Sequence, residues 1–133
     1  TSILPNLLIP GIRQALLRRR APVVLLRNLM TPPGETDGMR GVAHLEAIER
    51  HAGARLVDAV LVNSAEIPAH RLTQYAEAGS EPVAIEREAM ARHGVEVIEA
   101  DLLAAGDLIR HDPEKLARAA LALGGRRLRA VAS

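Results

Sequence analysis

The sequence contains no cysteine, which excludes disulfides, zinc thiolates and a cysteine nucleophile. It holds one tyrosine and neither phenylalanine nor tryptophan, so its core has to be built from Leu, Val, Ile and Ala. Charge of one sign is not in surplus either: 17 basic against 16 acidic residues leave a formal net charge of +1. Neutralising a phosphate backbone needs a basic excess, so nucleic acid is not expected as a partner. No apolar run approaches the ~18 residues of a membrane span. The apolar opening from Ile3 to Ile12 is followed, not preceded, by Arg18-Arg19-Arg20, the wrong order for a secretion signal. A reducing cytoplasm is compatible with all of this and is the expected location. His44, His51, His70, His93 and His111 show no metal-binding spacing, and no Gly-x-Ser-x-Gly elbow is present. No metal ligand and no catalytic residue is assigned.

What is present has the size of one domain, 133 residues long. Its organising stretch is Asn28-Leu-Met-Thr-Pro-Pro-Gly-Glu-Thr-Asp-Gly38. Pro22 to Arg27 ahead of it is an apolar run of strand length. Val42 to Ala52 behind it carries apolar residues at helical spacing, with Leu45 and Ile48 inward and Glu46, Glu49 and Arg50 outward. His44 and His51 are expected on the solvated face of that helix. The stretch therefore reads as a loop leaving the C-terminal end of a parallel strand, which is where open α/β sheets bind ligands. Two prolines stiffen it and its glycines permit close backbone approach. An ordinary polar connection would look much the same.

The rest of the chain repeats the alternation. Short helices are expected from Thr1 to Asn6, with Ser2 as N-cap, and from Pro10 to Arg19, ending in a solvated arginine triplet. Leu56–Asn63 is a nearly continuous apolar strand, as strands buried on both faces are. A helix over Pro68–Glu77, a short strand over Pro82–Ile85 and a helix over Glu86–Arg92 follow. Val95–Glu99 alternates and so belongs near an edge. Asp112 caps a last helix from Pro113 to Leu123, and Arg126–Ser133 reads as a basic tail. This pattern predicts an α/β fold, Rossmann-like and three-layered, with a mainly parallel sheet of about four strands. Right-handed crossovers then gather the outgoing loops Asn28–Gly38, Asn63–Ile67, Ile85–Glu88 and Ala100–His111 on one rim.

Three stretches resemble the bacterial gluconeogenesis factors of the YvcK type, within the wider CofD-like family. They are Thr1-Ser-Ile-Leu-Pro-Asn-Leu-Leu-Ile-Pro-Gly-Ile12, the organising loop, and Leu61-Val-Asn-Ser-Ala-Glu-Ile-Pro68; Leu108-Ile-Arg-His-Asp-Pro-Glu-Lys-Leu116 supports them. The resemblance implies a Rossmann-like binder of a nucleotide sugar, UDP-N-acetylglucosamine, tied to gluconeogenic growth, cell shape and peptidoglycan synthesis. It implies that residues 1–123 are the C-terminal part of a CofD-like nucleotide-binding domain and 124–133 a tail. Such proteins begin with a strand and a Gly-Gly-Gly-Thr-Gly phosphate loop, and this chain has neither. The family's transferase branch, acting in 2-phospho-L-lactate transfer, carries a Gly-Gly-Lys-type loop where this chain has Met-Thr-Pro-Pro-Gly-Glu-Thr-Asp. The chain thus sides with the non-catalytic branch, with a transferase or a partner-binding domain, in a homo-oligomer or with another protein, as alternatives.

Seven residues are ligand-contact candidates: Asn28, Thr31, Thr36, Asp37, Asn63, Tyr75 and Arg110. Tyr75, the sole aromatic, stacks on a base or packs a sugar in one reading; in the other it is a half-buried helix residue. Arg110 lies at a helix entry suited to a diphosphate, yet it has Asp112 beside it as an ion-pair partner. Thr31 and Thr36 offer hydroxyls to a ribose, sugar or phosphate. Asp37 and Glu35 are either general bases or magnesium ligands, or they bond within their own loop. Asn63 ends a buried strand, where it binds a base or ties down a neighbouring loop.

Overall fold

The middle strand of the sheet comes from the most apolar run in the chain. In the computed structural model, which describes residues 3–31, 34 and 41–124, β2 spans Ala59–Asn63, with its first four residues buried. It lies between β1, Val24–Leu26, and β3, Glu96–Ala100, and both pairings are parallel. Val60 pairs with Leu25 on one side and Val97 on the other. Alternate residues of β2 feed opposite faces, so Val60 and Val62 enter the main core while Ala59 and Leu61 are buried behind them.

Helices cover the Val60 face. α1 is Leu4–Leu7, α2 is Pro10–Leu17, α3 is Gly41–Ala52 and α5 is Arg87–Arg92, with α4, Ala69–Glu77, preceding α5. α3 presents Leu45, Ile48 and Ala52 to the core, as its periodicity predicts, and Leu7 of α1 and Met90 of α5 fill in around them. Each fully buried leucine of this kind contributes about 1.5–3 kcal/mol, so an aliphatic core suffices without aromatics. Gly53 ends α3 at φ +70°, a left-handed conformation suited to a residue without Cβ. α6, Pro113–Gly124, closes the described chain, and Asp112 caps it through Oδ1, which accepts from the N–H groups of Glu114 and Lys115 at 2.9 and 3.0 Å.

Four expectations change. The segment 82–85 does not join the sheet. Its neighbours bond antiparallel to the chain beyond β1: Thr31 N–H donates to Glu81 at 2.8 Å and Val83 N–H donates to Leu29 at 3.0 Å. Pro82 has no N–H to give a ladder, and it forms an isolated bridge with Met30 instead. The sheet therefore has three strands, not about four. Arg19 is not a solvated helix end, because its guanidinium donates to the Leu56 carbonyl at 2.7 Å and to Asp58 Oδ2 at 2.8 Å, pinning the end of α2 beneath the entry to β2. His44 and His51 are half-buried rather than on a solvated face. Nδ1 of His51 lies 2.7 Å from the Ala47 carbonyl. The expected Ser2 cap and the 126–133 tail lie outside the described residues. Among the described residues no helix is long and apolar enough to cross a membrane.

Candidate functional site

Parallel pairing brings the C-terminal ends of all three strands to one rim, and a cleft of about 230 Å³ opens there. Arg27 and Asn28 line it at the end of β1, and Val62 and Asn63 at the end of β2. Its far wall is the 82–85 segment, and Ile67 and Leu72 add apolar surface. The failure of that segment to enter the sheet is what leaves the cleft a wall.

Asn28 is exposed on the rim. Asn63 does the work of a loop anchor: Oδ1 accepts from Leu102 N–H at 2.9 Å and from Ala65 N–H at 3.2 Å, while Nδ2 donates to the Ala65 carbonyl at 2.8 Å. Thr31 is drawn into the antiparallel bridge, its Oγ1 accepting from Glu81 N–H at 2.9 Å and its carbonyl from Ser80 Oγ at 2.6 Å. Tyr75 packs with Leu29, Met30, Leu103 and Ile109 in a second apolar cluster beside the rim, and its hydroxyl accepts from Ile109 N–H at 3.0 Å. Arg110 is exposed on the 103–111 loop, and among the described residues its side chain makes no hydrogen bond to Asp112 or any other group. Thr36, Asp37 and Glu35 lie outside the described residues.

Two arginines escaped notice in the sequence. Arg71 on α4 is 5% exposed, and its guanidinium donates to the carbonyls of Ala104, Asp107 and Leu108, shaping the loop that carries Ile109 and Arg110. Arg27 is 4% exposed, and neither Nη1 nor Nη2 has a hydrogen-bond partner among the described residues. Burial holds its pKa below the usual arginine value, and the charge of Glu86 partly restores it. Burial lowers the pKa of His111, and the Arg27 backbone acts in the opposite direction. An arginine ending an apolar run was the only sign of this in the sequence. Among the described residues there is no group of three or more His, Asp or Glu placed to hold a metal.

The family model described as 2-phospho-L-lactate transferase CofD matches residues 1–103, most of this chain and all three strands. The chain belongs to the CofD family. Within the CofD family it is similar to the gluconeogenesis factor of Bacillus subtilis, 38% identical over 118 residues that are 88% of this chain and 37% of that protein. The gluconeogenesis factor of Halalkalibacterium halodurans is 38% identical over 122 residues, 91% of this chain and 38% of that one. A crystal structure of a UPF0052 family member from Bacillus halodurans superposes with a TM-score of 0.83 at 37% identity, over 90% of this chain and 38% of that chain. The chain therefore spans well under half the length of these CofD-family relatives.

Proposed function

We propose that the cleft binds part of a nucleotide sugar, UDP-N-acetylglucosamine, in a cytoplasmic regulatory protein serving gluconeogenic growth, cell shape and peptidoglycan synthesis. The observation that carries the reading is the cleft's position, at the convergent C-terminal ends of parallel strands in a chain similar to gluconeogenesis factors. Its volume of about 230 Å³ is below the ~300–1,000 Å³ that encloses a drug-sized ligand, so it takes one moiety rather than the whole molecule. Asn28 and Asn63 supply amide groups within the cleft, and Thr31, Thr36, Asp37, Tyr75 and Arg110 are the further contacts of this proposal. Residues 1–123 then form the C-terminal part of a nucleotide-binding domain.

Calorimetry of the full-length protein with UDP-N-acetylglucosamine tests it. Saturable binding that weakens in Asn28→Ala is the expected result. No heat of binding at millimolar ligand overturns the reading.

A second reading follows from the matched family model, whose description is that of a transferase. In it, Asp37 holds magnesium for transfer of a phosphoryl-bearing group from a nucleotide. Product formation from a nucleotide and a phospho-acceptor in the presence of magnesium, lost in Asp37→Asn, would favour that reading over regulation.

A further inference from the structure

Arg27 and Arg71 are equally buried and differ in one respect. Arg71 spends its donors on three carbonyls, whereas the two terminal nitrogens of Arg27 meet none among the described residues. A buried, unpaired guanidinium is destabilising, so its persistence calls for a compensating anion. The guanidinium lies against Gly41, the first residue of the twelve-residue helix α3. A Cβ at Gly41 would collide with Arg27 Nη1 and would fall 2.8 Å from Met90 Cε and 3.3 Å from Glu86 Oε2.

That helix end adds partial positive charge, and it already holds one carboxylate: Val42 N–H donates to Glu86 Oε2 at 3.1 Å. Glu86 is the acidic group whose charge acts on Arg27, yet no ion pair within 4 Å joins them. His44, one turn into α3, has a buried Nε2 with no partner among the described residues. So, among the described residues, a cation, a helix N-terminus and an imidazole meet beside the cleft with a single carboxylate between them. Arg27 also lines the cleft, so the spot opens into that space.

We infer that Arg27 and the N-terminus of α3 form an oxyanion site for a phosphate group, seated at the edge of the cleft. A guanidinium suits this role because its planar fork of donors matches two oxygens of one phosphate. The phosphate is either free or the phosphoryl group of the cleft's ligand; only the second source rests on the nucleotide-sugar reading.

The test is thermal denaturation of the full chain in inorganic phosphate and in chloride of matched ionic strength, for the wild type, Arg27→Met and Arg27→Lys. The same proteins are titrated with UDP-N-acetylglucosamine and with uridine, which lacks phosphate. A free-phosphate site raises the wild-type Tm saturably in phosphate; Arg27→Met loses the rise while holding or exceeding the wild-type Tm in chloride, and Arg27→Lys keeps part of it. If the phosphoryl group belongs to the ligand, phosphate alone has little effect. Arg27→Met then weakens the nucleotide sugar by about tenfold or more and leaves uridine unchanged.

A phosphate response without nucleotide-sugar binding supports this site and sinks only the nucleotide-sugar reading. Responses to phosphate and nucleotide sugar that are absent in the wild type, or unchanged in Arg27→Met, overturn the inference and leave Glu86 as the arginine's counter-charge among the described residues. Should Arg27→Met fail to fold, Arg27→Lys and the wild-type phosphate titration decide the same question.

Discussion

Asn63 Oδ1 accepts a hydrogen bond from the Leu102 backbone N–H at 2.9 Å, joining the end of β2 to the turn that leaves β3. With its two bonds to Ala65, a single amide fixes both the loop leaving β2 and the turn leaving β3. An asparagine is needed because the oxygen accepts while the nitrogen donates, and aspartate would lose the donor.

Asn63→Ala is therefore expected to cost about 1–3 kcal/mol, since it strands the Leu102 and Ala65 N–H groups in a partly buried place. Chemical denaturation measures the loss. Hydrogen exchange at Leu102 should quicken more than at Val60, which sits in the middle of the ladder. Equal exchange at the two amides would mean that the loop does not depend on Asn63.

Tyr75 and Ile109 make a parallel case from α4. Tyr75→Phe keeps the ring against Leu29 and Leu103 but leaves Ile109 N–H without its acceptor. The expected loss is about 1 kcal/mol, the net worth of one hydrogen bond, with no change in the second apolar cluster. Tyr75→Phe matching the wild type in denaturation would show that water replaces the hydroxyl.

Which parts of this were legible beforehand follows from how local each determinant is. β2 announced itself through an unbroken apolar run, and α3 through Leu45 and Ile48 three apart, because burial on a strand or helix leaves a short-range period. The rim was legible for the same reason: strand ends follow from strands, and Asn28 and Asn63 sit just where the apolar runs stop. The 82–85 segment was not. Its few apolar residues suit a strand, but its partners turned out to be residues 29–31, some fifty positions away, and no local pattern encodes that choice. Arginines were the other blind spot. Arg19, Arg27 and Arg71 all read as surface residues by type, and only the fold reveals that one holds Asp58, one holds three carbonyls and one holds nothing among the described residues.

Arg71→Met is expected to be among the more damaging substitutions on α4. It removes the donors that hold the carbonyls of Ala104, Asp107 and Leu108 and leaves acceptors stranded in a partly dry loop. The expected cost is about 2–4 kcal/mol. The opposite outcome is expected for Arg27→Met, where no bond among the described residues is lost, so the pair measured side by side in denaturant tests the contrast. Similar losses at both positions would mean that Arg27 is held by interactions equivalent to those of Arg71.

Acid should weaken the fold in two separate windows. Burial lowers the pKa of His44, helped by the charge of Arg27, and burial also lowers that of His111, against the opposing effect of the Arg27 backbone. In the unfolded chain both take protons near 6.5, whereas the folded chain takes them only at lower pH. Between those points the unfolded state holds more protons, so stability rises with pH there and is complete above the unfolded value. Lowering the pH from about 7.5 to about 5.5 should therefore lower Tm, and a His44→Gln, His111→Gln double variant should flatten that decline. Glu99 beside Arg87 and Asp101 beside Lys115 are also held below their ordinary values of 4.5 and 3.8. Their contribution is present above those values and fades only as pH falls through the lower, folded ones, so the double variant should leave that second decline in place. A Tm that stays flat down to about pH 5.5 in the wild type would show that the two imidazoles titrate alike in the folded and unfolded chain.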